Sequence, residues 1–247
     1  EADGSEFASI TVQSSDSLSG LTGLLEGSAA IGMSSRRVTA NEVSAFEISG
    51  KGRLDSAAQE RIVGLDGVTI AVHRDNPANI LSFEQMSGIF EGRITNWNQV
   101  GGKDAPIQIY RREANAGTSK TFAEAAFASA GRQFSTNAVI LGTDAEVSDA
   151  VAADVNGIGI SSYAQERNAD AIAIRSVCGE LFEPSTFSIK TEEYPLTRRM
   201  YLYTSNEALP DVANEFLEFV TSDTAQSVIN NTGFIGQNPS ATSLNAQ

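Results

Sequence analysis

The stretch "IQIYRREANAGTSKTFAEAAF", Ile107–Phe127, decides how this chain is read. Ile107–Arg111 reads as a strand, and it runs into a second arginine, Arg112. A short polar loop follows, carrying Asn115 and Gly117, and a helix is predicted from Thr118 to about Ser129, with Phe122, Ala125, Ala126 and Phe127 on its inner side. The first amides of a helix have no intrahelical acceptor, and the helix dipole places about half a positive charge there. Glycine lets a ligand approach the backbone, and a guanidinium offers paired donors to two oxygens of a tetrahedral anion. The stretch therefore has the parts of an oxyanion cradle. The same residues equally describe a helix capped by Thr118 with its arginines salt-bridged on the surface, and spacing does not choose between the two. A Walker loop is excluded, because its Gly-Lys-Ser/Thr order is absent.

Outward from this unit, short apolar strands alternate with helical segments, the pattern of an α/β fold with mostly parallel sheets. Strands are expected at Ser9–Ser14, Ala29–Ser35, Gly67–His73, in "GIGISS", and at Arg198–Ser205; a helix is expected over Ser19–Glu26 and another in "EVSDAVAAD". Thr39 with Glu42, and Ser82 with Gln85, have capping-box spacing and should each open a helix. Asn76-Pro77 should turn the chain. In "DVANEFLEFVTSD", Val212, Phe216, Phe219 and Val220 mark the expected inner face of a late helix, and Gly236–Gln247 reads as a frayed polar end or linker. Two further segments lie at predicted strand ends. "SSDSLSG" is rich in hydroxyls, and "GMSSRR" brings Ser34, Ser35, Arg36 and Arg37 together. Open α/β sheets place ligands at such carboxyl ends, although each segment alone is more often a capped loop.

The 247 residues suffice for one large domain or two lobes, and the 41% hydrophobic content supports a core. Net charge is −14, which argues against nucleic acid or an anionic membrane as partner. A small anion is not excluded, since screening limits distant charges to about 8 Å while a cleft is governed by its nearest donors. The single cysteine, Cys178, and single histidine, His73, rule out an intrachain disulfide and Cys- or His-pair metal sites. No cofactor is implied. No Gly-x-Ser-x-Gly elbow occurs, and any Ser–His triad would need His73, which reads as structural, so no enzyme is expected. The first residues lack the basic-then-apolar pattern of an export signal, so a signal would have been removed or lie before Glu1.

The strings "GSAAIGMSSRRV" (Gly27–Val38), "LDGVTIAVHRDNP" (Leu65–Pro77), "LSFEQMSGIFEGRITNWNQVGG" (Leu81–Gly102), "RREANAGTSKTF" (Arg111–Phe122), "AVAADVNGIGI" (Ala150–Ile160), "YPLTRRMYLYT" (Tyr194–Thr204) and "GFIGQNP" (Gly233–Pro239) follow one family order along almost the whole chain. In them the chain resembles the periplasmic phosphate-binding proteins of bacterial ABC uptake systems, within the type 2 periplasmic-binding-protein superfamily. It is most similar to the branch fused to a C-terminal peptidoglycan-binding module of the outer-membrane-protein-A type. The resemblance implies a two-lobed fold, each lobe a mixed sheet flanked by helices, closing around an anion by hinge motion. Lobe one would comprise residues 1–70 and 195–247, and lobe two residues 71–194. It further implies a monomer in the periplasm or cell envelope that binds inorganic phosphate or a related oxyanion and serves an ABC permease. Peptidoglycan would be a further partner through the fused module.

Carried over by residue, Ser17 matches a ligand-binding serine, and Arg112, Gly117 and Thr118 match the family's Arg-x-x-x-Ser-Gly-Thr loop. Ser35 stands where many members have the aspartate that accepts the phosphate proton. With Ser34, Arg36 and Asn115 these are the candidate ligand residues. The chain departs from the pattern at Ala116, where the family has serine, and at Ala114, where an acidic residue commonly pairs with the arginine; Glu113 is the expected substitute there, and Asp16 or Glu113 is the expected acidic acceptor that would tell phosphate from sulfate. The family's opening strand and its Gly-Ser-x-Thr-type loop do not precede "ITVQSS", so the first strand of lobe one is expected to be missing. A different class of function, a cell-envelope interaction or sensing domain that binds anions weakly, stands as the alternative; a phosphate-handling hydrolase ranks last.

Overall fold

The computed structural model describes residues 10–13, 16–127 and 131–238. Its first elements are α1 (Ser17–Glu26), β1 (Gly32–Ser34), α2 (Ala40–Ile48) and the long strand β2 (Glu60–Val72). Next come β3 (Ile80–Ser82), α3 (Phe83–Glu91), β4 (Gln108–Arg111), α4 (Gly117–Ala126), β5 (Val139–Ile140) and α5 (Asp144–Ala153). The chain continues through β6 (Gly157–Ser162), β7 (Asp170–Ala171), β8 (Ala173–Arg175), β9 (Leu181–Phe182) and α6 (Thr186–Lys190). It ends with β10 (Thr197–Tyr203), α7 (Asp211–Val220) and α8 (Asp223–Asn231).

One mixed sheet runs in the order β1-β10-β2-β6-β4-β5, with β7 added on β2, and β3-β8-β9 form a second sheet. The strand β2 joins two halves of the large sheet. Its residues up to Gly67 pair with β10, whereas Val68–Val72 pair with β6, both antiparallel. The chain crosses back beside the same point: Val68 donates to the Leu196 carbonyl, and the buried Tyr194 hydroxyl donates to the Val68 carbonyl at 3.0 Å. A strand traversed in one direction and answered by a return in the other gives antiparallel pairing. The expected mostly parallel sheet is therefore confined to β6-β4-β5 and to β3-β8. The strand is also far longer than the expected Gly67–His73, because Glu60, Arg61 and the buried Asp66 interrupt its apolar pattern.

Both anticipated capping boxes form, at Thr39 with Glu42 and at Ser82 with Gln85. Asn76 makes the expected turn, its side-chain oxygen accepting from the Ala78 amide. Four expectations are corrected. Ile10–Gln13 form no strand: Ile10 and Val12 are 55% and 68% exposed, with no described strand beside them, while Ser9 and Ser14 lie outside the described residues. On α7, Val220 is buried and Phe216 packs on the core as expected, but Phe219 is exposed, and Ala213 and Leu217 complete the inner face, which packs on Leu202 of β10 and Ile31. On α4, Ala125 is exposed, and Ala123 joins Phe122 and Ala126 against the core instead. The chain end is also tied down through Asn238: the Gly236 amide donates to Asn230, that of Gln237 to Gln226, and Lys190 Nζ to the Asn238 carbonyl. Residues 239–247 lie outside the described residues.

The main core fills the second half. Phe122 is fully buried there with its ring 4.8 Å from that of Phe90 and 5.6 Å from that of Phe127. These edge-on contacts fix the inner face of α4, and so fix where its first turn points.

Candidate functional site

Asp16 caps α1, accepting from the Ser19 amide at 2.9 Å, and this leaves Ser17 at the first helical position. The helix lies unusually close to β1. A side chain at Gly20 would approach the Met33 carbonyl to 2.5 Å, and one at Gly32 would approach the Gly20 carbonyl to 2.9 Å. That contact, open only to glycine, carries Ser17 to Ser35: the Ser35 amide donates to Ser17 Oγ at 3.1 Å, and the two hydroxyls lie 3.3 Å apart.

From the second half comes the β4–α4 loop. Ala116 occupies the cap position of α4 with no capping hydrogen bond, and among the described residues no acceptor is found for the amides of Gly117, Thr118 or Ser119. A serine there would offer an oxygen to these amides; alanine leaves them to whatever enters the cleft. Thr118 is not the cap. It is fully buried in the first turn, and its hydroxyl donates to Asp144 Oδ1 at 2.7 Å. Arg112 Nε donates to the Gly142 carbonyl at 3.1 Å and Nη1 to Asp144 Oδ2 at 3.4 Å. Among the described residues Arg112 Nη2 makes no hydrogen bond.

The carboxylate that orients Arg112 is thus Asp144, the first residue of α5, and not Glu113. Glu113 is exposed, and Asp16 is committed to the start of α1. Sequence reasoning missed Asp144 because it lies 32 positions from Arg112 inside a segment that reads only as a helix start. Its place is set by Ser161 of β6, whose hydroxyl donates to the Asp144 carbonyl at 3.0 Å.

The two halves meet at Gly117. A methyl group there would lie 2.3 Å from Ser35 Oγ and 2.7 Å from Arg198 Nη1. Ser17, Ser35, Gly117, Thr118 and Arg112 are thereby gathered around one seam. The remaining candidates have other occupations. Ser34 Oγ donates to the Arg36 carbonyl at 2.6 Å, closing a local turn. Asn115 is exposed in the turn before α4. Arg36 forms a two-armed pair with Glu42, at 2.9 and 2.7 Å, and so is held on α2 rather than at this seam.

That pair sets a pH dependence of stability. Burial raises the Glu42 pKa, but hydrogen bonds from Arg36 and Thr39 outweigh it and bring the pKa from 4.5 down to about 2. A lowered folded-state pKa stabilises above the unfolded value, and the contribution is lost as the pH falls through the folded one. Glu42→Gln is therefore expected to cost about 1–2 kcal/mol at pH 7, after allowing for solvent screening. The gap between the two proteins in urea unfolding should close between pH 4.5 and about 2. A gap of constant size over that range would show that the ion pair is not its source.

Two halves joined by two crossings, with helix starts and an arginine facing the seam, define the class of two-lobed binding proteins. Residues 3–224 match the model of the PBP superfamily domain. The phosphate-binding protein PstS of Bacillus subtilis is 30% identical over 232 residues, covering 92% of this chain and 71% of that protein. Its Pseudomonas aeruginosa namesake is 28% identical over 243 residues, with 92% and 73% covered. Among solved structures, an ABC-type phosphate transport receptor from Vibrio cholerae superposes with a TM-score of 0.72 at 26% identity, covering 89% of this chain and 84% of that one. A Clostridium perfringens protein solved with bound phosphate, and assigned to phosphate ABC transport as a substrate-binding protein, gives 0.72 at 25% identity, with 90% and 84% covered. The chain belongs to the PBP superfamily and, within it, to the family of the phosphate-binding proteins PstS. No helix among the described residues is long and apolar enough to cross a membrane, and no group of His, Cys, Asp and Glu among them could hold a metal ion.

Proposed function

We propose that the chain captures inorganic phosphate between its lobes, as the substrate-binding component of an ABC-type uptake system. The observation that carries this reading is the convergence at Gly117 of the uncapped α4 start, the Arg112 guanidinium held by Asp144, and the paired hydroxyls of Ser17 and Ser35. Amide N–H groups and guanidinium edges suit the oxygens of a tetrahedral anion. The ligand residues proposed are Ser17, Ser35, Arg112, Gly117 and Thr118. The lobes proposed are residues 1–70 with 195–247, and residues 71–194; the change of partner on β2 at Gly67 and Val68 supports that division.

The proposal extends to the finer expectations: a monomer in the periplasm or cell envelope, an ABC permease as partner, and a peptidoglycan-binding module continuing the chain. The relatives' names, which speak of phosphate ABC transport, support the permease as partner, and the sequence strings support the fused module. Calorimetric titration of phosphate into the wild-type chain and into Gly117→Val tests the reading. The wild type should bind, and the valine variant should bind at least about 100-fold more weakly, because its side chain holds the lobes apart where the donors meet. No heat of binding to the wild type at millimolar phosphate would sink the reading and favour a sensing or interaction domain.

A further inference from the structure

We propose that Arg198, on β10, is a second cationic ligand of the anion, reaching it from the side of the cleft opposite Arg112. This deepens the phosphate reading and rests on it. The Arg198 side chain is only 9% exposed, and it is held by Asp66, which is fully buried. Nε donates to Asp66 Oδ2 at 3.0 Å and Nη2 donates to the same oxygen at 2.7 Å. Among the described residues Nη1 makes no hydrogen bond, and it lies 2.7 Å from where a Gly117 methyl would stand, beside Ser35. One edge of the guanidinium is thus anchored, and the other is aimed at the first turn of α4.

A buried cation with a free donor edge is costly unless something accepts from it. The nearby carboxylates are already occupied. Asp66 also accepts from Ser162 Oγ at 2.9 and 2.8 Å and from the Ala164 amide, while Asp144 serves Thr118 and Arg112. A tetrahedral oxyanion on the α4 start would satisfy the remaining Arg198 edge and the Arg112 Nη2 together. Such a ligand would also tie the lobes, since Arg112 belongs to the insert and Arg198 to the returning strand. Asp66 lies on β2 next to the point where that strand changes lobes, so the arginine that touches the anion is anchored at the crossing itself.

The test is calorimetric titration of phosphate into the wild type, Arg198→Lys, and the double variant Asp66→Asn with Arg198→Gln, with thermal unfolding of each. The double variant removes both charges, so no buried ion is left unpaired. It should remain folded and bind phosphate about 10- to 100-fold more weakly. Arg198→Lys should also lose affinity, because one ammonium group does not reproduce a fork that holds Asp66 and points into the cleft. Wild-type affinity in a folded double variant would overturn the proposal and reduce Arg198 to a structural partner of Asp66. Should the double variant not fold, wild-type affinity in Arg198→Lys would overturn it equally. Failure of the wild type itself to bind phosphate would instead sink the phosphate reading, and this proposal with it.

Discussion

Arg112→Ala is expected to weaken phosphate binding by about 30-fold to several-thousand-fold while leaving the fold intact. The guanidinium is partly exposed, at 31%, and contributes little to the core, so thermal unfolding should shift by no more than a few degrees. Its loss acts twice on the ligand. A charge-assisted donor disappears, and Asp144, whose Oδ2 then has no cation, faces the incoming anion as a bare carboxylate. Truncating one member of such a set costs about 2–5 kcal/mol, which corresponds to a 30- to several-thousand-fold rise in Kd. Combining Arg112→Ala with Asp144→Asn should recover part of this affinity by removing the repulsion. Calorimetry showing unchanged affinity in Arg112→Ala would remove this residue from the site.

The largest effect on stability is expected at Asp66. Its carboxylate is fully buried and accepts from Arg198 of β10 and from Ser162 and the Ala164 amide at the end of β6, two segments that meet it where β2 passes between the lobes. Asp66→Ala leaves a nearly buried guanidinium without a counter-charge, at a cost of about 3–5 kcal/mol. That is a large share of the ~5–15 kcal/mol that holds a domain folded. Urea unfolding should show the midpoint falling accordingly. Asp66→Asn with Arg198→Gln should retain much more stability, because neither charge is then stranded. A loss below about 1 kcal/mol for Asp66→Ala would mean that water reaches the guanidinium at the crossing.

Local signals carried most of the element list. Thr39 with Glu42 and Ser82 with Gln85 open their helices because capping depends on side chains three residues apart, a spacing visible in any sequence. The start of α4 was legible from the polar loop with Gly117 before a helical run rather than from a cap, and with it Arg112, Gly117 and Thr118. The strand β2 was only half legible. Asp66 reads as a break in an apolar run, and only the arriving Arg198 makes a buried charge tolerable there. The expectation at Ser9–Ser14 failed in the reverse way. Alternating Ile10 and Val12 announce a strand, but a strand exists only through a partner, and none of the described ones lies beside it. On α7 the expectation held at Phe216 and Val220 but placed Phe219 inward instead of Leu217, since the two are equally apolar and only the surface beneath selects between them.

By itself the sequence determined the α/β class and the identity of the loop that presents an arginine and open amides, because each rests on signals within a few residues, and the family, because its strings follow one order along the chain. Tertiary structure decided the rest of the site. It assigned Asp144 rather than Glu113 to Arg112, committed Arg36 to Glu42, and brought Ser35, Gly117 and Arg198 to one point from three distant segments. Charges choose partners by distance in space, and the crossing of β2 and β10 between the lobes sets those distances here. No pattern along the chain records them.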